Sequence, residues 1–189
     1  MADDKQHLIV PARQLPTDYP LIDNDPHIGR VFGYARPRDY VIAGAAAAAC
    51  PISFWVMERV SPSHVGRGGF APLMRLAGAV GVIGAGHLLY QRSCNRFYGF
   101  SENRREVEMD MREMVDKVKK GEPLYGNSQV APHLQEVAAR NSRYSSMLIP
   151  VMPWLNGVNH PHHGVDTAKY YQQAERELEA ERLAKDQSP

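Results

Sequence analysis

The sequence predicts an all-α membrane protein: a two-helix transmembrane hairpin with an extended N-terminal arm and a helical and irregular C-terminal extension. Three observations predict it. Apolar residues pool between Tyr40 and Tyr90, although the mean hydropathy of the whole chain is -0.42. Two runs within that pool carry no fixed charge through their centres. The stretch joining them is short and dense in Pro and Gly, which makes the runs antiparallel neighbours.

The first run is Val41–Met57, bounded by Arg38 and Asp39 before it and by Glu58 and Arg59 after it. As a helix it spans about 26 Å, slightly short of a hydrocarbon core of about 30 Å. Tyr40 and Trp55 stand near its ends, where interfacial aromatics are favoured. Pro51 lacks an amide hydrogen, so it should kink the helix or free a carbonyl. A buried alanine-rich helix of a soluble protein would look similar. It would need other apolar elements around it, and few are present.

The connection, ERVSPSHVGRGGFAP, holds Pro62, Gly66, Gly68, Gly69 and Pro72. The second run extends from about Leu73 to Arg92, with Arg75 and Arg92 placed to snorkel to the interfaces. Ala77, Gly81 and Ala85 recur every four residues and form a smooth face that another helix can approach closely. The first run offers Gly44, Ala45 and Ala48. Gly44, Ala48, Ala77, Gly81 and Ala85 are therefore the candidate helix-packing residues, against each other or against a larger partner. The glycines do not form a nucleotide fingerprint: their order is not GxGxxG, no strand precedes them, and VGRGGF lacks the Walker lysine. His87 lies near the end of the second run, where a structural role outweighs that of a proton relay.

The chain divides into four segments. Residues 1–38 form an extended N-terminal arm, in which Pro11, Pro16, Pro20, Pro26 and Pro37 interrupt any helix longer than two turns. Residues 39–92 form the hairpin, with helices at about 40–58 and 72–91. Residues 93–165 form a helical and irregular surface arm. Residues 166–189 form a charged C-terminal helix or tail. In the third segment a helix is predicted over Arg104–Lys120, with Ser101 as its cap and a stop at Gly121–Pro123. Val107, Met111, Met114, Val115 and Val118 are its apolar stripe. A short helix is expected over 133–149. The stretch MLIPVMPWLNGVNHPHHGVD reads as an extended anchor over a partner or at the lipid interface, since Pro150 and Pro153 forbid a spanning helix. The final helix starts at Asp166 or Thr167, pairs Glu181 with Lys185 and is expected to be solvated. With the apolar pool committed to lipid, the arms are expected to gain order by lying on something else.

Composition excludes several functions. With 22 Lys+Arg against 21 Asp+Glu the formal net charge is +1, so nucleic-acid binding has no electrostatic support. The N-terminus is no secretory signal and a poor matrix presequence, because Asp3 and Asp4 come early. Cys50 and Cys94 form neither a CxxC pair nor a disulfide framework and read as free thiols. His160, His162 and His163, with Asp166 nearby, are the one dense group of potential metal ligands. Adjacent histidines separated by proline rarely converge on one ion, so the favoured reading is a rigid turn whose imidazoles bond the surface beneath. No nucleophile elbow or apolar carboxylate pair argues for catalysis. No catalytic, cofactor-binding or metal-binding residue is assigned.

Three strings carry a resemblance: YPLIDNDPHIGRVFGYARPRDY, YQRSCNRFYGFSENRREVEMDM and PWLNGVNHPHHGVD. With the two-helix layout, they make residues 19–166 resemble the fungal mitochondrial complex I (NADH-ubiquinone oxidoreductase) accessory subunits of about 21 kDa, the 20.9 kDa subunit family. The resemblance implies a non-catalytic subunit that assembles or stabilises the proton-pumping membrane arm, with other membrane-arm subunits and lipids as partners. It implies the mitochondrial inner membrane, import without a cleaved presequence, and no ligand residues. Arginines at 30, 36, 38, 92, 96, 104 and 105 slightly outweigh those at 59, 67 and 75, which favours both termini on the matrix side. The alternatives are a component of another mitochondrial membrane complex, such as a translocase, and a metal-binding membrane protein built on the histidines.

Overall fold

A computed structural model of the chain describes residues 16–137 and 151–186. Five helices lie wholly within these residues: α1 (Ile28–Gly33), α2 (Pro37–Val60), α3 (Gly66–Phe97), α4 (Arg104–Lys120) and α5 (Ala168–Asp186). Residues 132–137 are also helical; the rest of the expected 133–149 helix lies outside the described residues, as do Pro11 and Pro150.

Both apolar runs are helical, and both helices exceed the runs. Pro37 occupies the first turn of α2, where its missing amide hydrogen costs nothing. Asp39 closes a capping box by accepting the Arg36 amide at 3.0 Å. α2 therefore begins before the apolar residues do and reaches about 36 Å, enough to cross a bilayer core. α3 begins at Gly66 rather than near residue 72, so the glycines at 68 and 69 lie inside it. Only Ser61–Val65 remains as a connection, braced by Glu58, which accepts from the Ser63 hydroxyl at 3.0 Å. At the other end α3 continues to Phe97 and so projects past the apolar run.

α2 and α3 pack side by side along their length. Ala43 and Ala85 share one core cluster, Ala47 approaches Gly81, and Asp39 reaches Arg92 and Arg96. The positions rise in one helix as they fall in the other, so the pair is antiparallel. Both helices are long and apolar enough to cross a membrane. Their outer faces carry exposed Val41, Ile52, Trp55, Leu76, Val82 and Ile83.

The sequence suggests arms that gain order by lying on something else; their described residues also make contacts within the chain. They fold on one another around the end of α3. The N-terminal arm contains one short helix, α1, which fits within the two-turn limit set by its prolines. Ile22, Val31 and Tyr34 from this arm pack with Tyr90, Cys94, Phe97 and Tyr98 from α3 and its exit. Backbone bonds join the layers: the amides of Tyr19 and Ile22 donate to the carbonyls of Gly99 and Phe97, at 3.2 and 2.9 Å. The amide of Ile28 donates to Asn156 at 2.7 Å. α4 matches its predicted range, but Asn103 rather than Ser101 precedes its first residue. α5 is not solvated all round. Tyr170 and Ala174 are buried, and Tyr170 packs with Met114 and Leu124. The Asp166 carboxylate accepts the Ala168 amide at 2.9 Å and caps this helix.

Candidate functional site

The stripe of small residues on α3 is the seam of the helix pair. Ala77, Gly81 and Ala85 are all buried. On α2 the facing residues are Ala43 and Ala47, one position away from the expected Gly44 and Ala48, which are exposed. The reason lies in the pairing phase. Pro51 cannot donate to the carbonyl of Ala47, and that oxygen turns towards α3 at Gly81. A Cβ built on Gly81 would stand 2.4 Å from it. Glycine is therefore required there by close approach, and the contact fixes which face of α2 meets α3. Around Gly44 there is open space.

Above the seam, charged residues hold the arms to the helices. Asp39 is buried and lies 2.9 Å from Arg92 Nε and 2.5 Å from Arg96 Nη2. Arg92 therefore ties α3 to α2 instead of snorkelling outward. Arg36 binds Glu106 at 2.5 Å and Glu102 at 2.9 Å, joining the entry of α2 to the start of α4. Arg30, on α1, reaches Asp110 at 2.6 Å, Asp23 at 3.1 Å and Glu113 at 3.3 Å. Glu106, Asp110 and Glu113 recur at helical spacing, so α4 presents a row of acids to two arginines of the N-terminal arm.

Burial opposes charge at each of these groups, and pairing answers it to different degrees. At Glu106, burial pushes the carboxyl up, but bonds from Arg36 and the charges of Arg36 and Arg96 hold it below the ordinary carboxylate range. At Glu113, burial is again outweighed, by Arg30, Lys117 and the Tyr34 hydroxyl. At Asp110 burial wins and the carboxyl lies above its usual value, despite Tyr170 and Arg30. Burial also raises Tyr34 and Tyr170, which stay neutral donors to Glu113 and Asp110, each at 2.5 Å.

The histidine group forms a second set of ties. His160 Nδ1 accepts the His162 amide at 3.1 Å, so its Nε2 carries the hydrogen and donates to Asp25 at 2.8 Å. His163 Nε2 donates to the His160 carbonyl at 2.6 Å, and its Nδ1 stands 2.7 Å from Asp23. The two rings stack at 4.6 Å, and Tyr125 covers His163 at 3.5 Å. Asp23 thus serves both His163 and Arg30. Imidazoles bonded to the surface beneath them are what the sequence favours. No group of three His, Cys, Asp or Glu side chains among the described residues is arranged to hold a metal ion.

The acids of α4 and the roles of Asp23, Asp25 and Asp39 escape a reading by apolar stripe. A signal was present: Glu106, Asp110 and Glu113 lie on one face, beside the methionines. Arg30 and Arg36 lie in an arm too polar to order itself by burial alone. The geometry defines a structural site, in which charge pairs close a polar head onto one end of an apolar helix pair.

A helix pair suited to a bilayer, carrying an ion-paired head, is the class of protein that this architecture defines. The chain belongs to the family described as NADH-ubiquinone oxidoreductase complex I, 21 kDa subunit, which matches residues 16–102. Its companion, the C-terminal part of the same 21 kDa subunit, matches residues 111–188. The chain is 63% identical, over 94% of its length and 94% of the relative's, to the NADH-ubiquinone oxidoreductase 20.9 kDa subunit of Neurospora crassa.

Proposed function

We propose that this chain is a non-catalytic accessory subunit of mitochondrial respiratory complex I that assembles or stabilises the proton-pumping membrane arm from within the inner membrane. Family membership supports complex I as the assembly, and with it the inner membrane and other complex I subunits as partners. The observation that carries the rest is the division of the surface. The antiparallel pair seals only one narrow face of each helix, and the large side chains along its apolar length, such as Ile52, Trp55, Leu76, Val82 and Ile83, point away from the chain. Such a surface needs lipid or membrane subunits around it. The exposed small residues Gly44 and Ala48 offer a neighbouring helix a close approach on the side of α2 away from α3.

The polar residues near the helix ends are consumed by structural pairs, which supports a binding role rather than chemistry. The head gathers at the end shared by the start of α2 and the exit of α3, so the termini of the described chain lie on one side. The arginine distribution slightly favours both termini on the matrix side. The test is a native gel of digitonin-solubilised mitochondria carrying a tagged chain. Co-migration with the NADH dehydrogenase activity band is expected. Migration as a free small protein, or within an assembly lacking that activity, overturns the proposal.

A further inference from the structure

We propose that the segment Val151–Leu155 is a third membrane contact, an irregular loop whose side chains enter the headgroup–acyl boundary of the leaflet on the side of the head. This rests on the reading of α2 and α3 as membrane-spanning. The sequence leaves the segment open to either a partner or a lipid surface, and three observations favour lipid.

The first is depth. The Val151 carbonyl lies 3.1 Å from Gln91 Nε2 and 3.5 Å from His87 Nε2, and the Trp154 carbonyl accepts the Tyr90 hydroxyl at 2.9 Å. At 1.5 Å per residue, His87 stands about 7.5 Å below the Arg92–Asp39 pair along α3. The loop is therefore pinned to α3 beside the end of the apolar run, at a level that the register of the helix pair matches with exposed Tyr40 and Val41 on α2.

The second is backbone satisfaction. Irregular backbone is tolerated at membrane depth only when its polar groups are taken up by protein. Side chains on α3 bond the carbonyls of residues 151 and 154, while the Asn156 carbonyl accepts from Ile28. Pro153 is buried and has no amide hydrogen to satisfy. This use also absorbs His87, an ionisable residue in an apolar run for which a proton relay is the competing role.

The third is chemistry. Val151, Met152, Trp154 and Leu155 are 60–70% exposed, while Pro153 is buried and the carbonyls of residues 151 and 154 face α3. Residues 151–159 contain no Asp, Glu, Lys or Arg. An uncharged apolar strip with an indole suits the interface, where a tryptophan places its ring in the acyl region and its N–H among headgroups.

The experiment uses the full chain reconstituted in phosphatidylcholine vesicles, with Trp154 (in Trp55→Phe) or Trp55 (in Trp154→Phe) as sole fluorophore. Phospholipids brominated near the headgroup or near the middle of the acyl chain serve as quenchers. Trp154 is expected to emit at blue-shifted wavelength and to lose more fluorescence to the shallow bromines than to the deep ones. A water-like, unquenched Trp154 beside a quenched Trp55 overturns the third contact and leaves the hairpin intact. Absence of quenching at both positions overturns the hairpin itself. In assembled native membranes, p-benzoylphenylalanine at position 154 is expected to form lipid adducts. An adduct with a second polypeptide assigns the loop to a protein neighbour and overturns the proposal.

Discussion

At Gly81 any larger residue would place a Cβ 2.4 Å from the carbonyl oxygen of Ala47, with no flexible side chain available to move aside. Gly81→Ala must then push the helices apart along the whole seam, because Ala77 and Ala85 lie on the same line. Overpacking of this kind costs about 1–3 kcal/mol. The loss is expected in a denaturation series of the purified chain in detergent. Gly44→Ala is the control: nothing lies within 4 Å of its position, and replacing a helical glycine gains roughly 0.5–1 kcal/mol. Equal destabilisation by both variants would disprove the assigned seam. At the opposite extreme is Gly99, whose φ of 81° already favours glycine and whose added Cβ would meet the Tyr19 carbonyl at 2.4 Å. There the required residue holds the arm to the exit of α3, outside the helix pair.

Among the elements, α4 most clearly owes its place to charge. Its buried face combines Met114 and Val115 with Glu106 and Asp110, so apolar packing and ion pairing act on the same side. The folded values of Glu106 and Glu113 are lowered. Their stabilisation is complete above the ordinary glutamate value of about 4.5 and is lost as pH falls through the folded values. Asp110 runs the other way: its raised value means that acidification relieves a cost already present at neutral pH. Below about pH 4.5 the contact of α4 with the N-terminal arm should therefore weaken, read as loss of near-ultraviolet dichroism from the buried tyrosines. Glu106→Gln is expected to make that acid loss shallower, and Asp110→Asn to make it steeper. Identical pH profiles for the three proteins would remove α4 from the charge-held contact. The same helix shows what could be read in advance. Its range follows from composition and its stop from Gly121. Which of its polar residues turn inward depended on where Arg30 and Arg36 came to rest, some 70 to 83 positions away in the chain.

For the whole molecule, a helix pair leads from a short turn, Ser61–Val65, to a head that contains the rest of the described chain. The two ends differ in what they expose. The turn is short and open, whereas the head is closed by ion pairs, stacked histidines and the docking of α5, where Lys119 meets Glu177 and Glu181 at 2.8 Å. If both termini face the matrix, a protease added to mitoplasts should cut only near the turn. The head should become accessible after the inner membrane is opened. Cleavage of the head in intact mitoplasts would invert the orientation. This asymmetry also bears on the arms. Their described residues pack on one another and on the exit of α3.

The sequence by itself determined the all-helical class, the two apolar helices and the range of α4, and it singled out the small-residue stripe through Gly81 without saying what would meet it. These depend on local composition and helical period, which act over a few residues. Tertiary structure decided that Ala43 and Ala47, rather than Gly44 and Ala48, meet that seam. It also decided that Asp23, Asp25 and Asp39 are buried partners, and that the arms build a core of their own. Each of these outcomes required groups far apart in the chain to meet. A carboxylate is inexpensive to bury only where an arginine or imidazole arrives beside it, and no local pattern records that arrival.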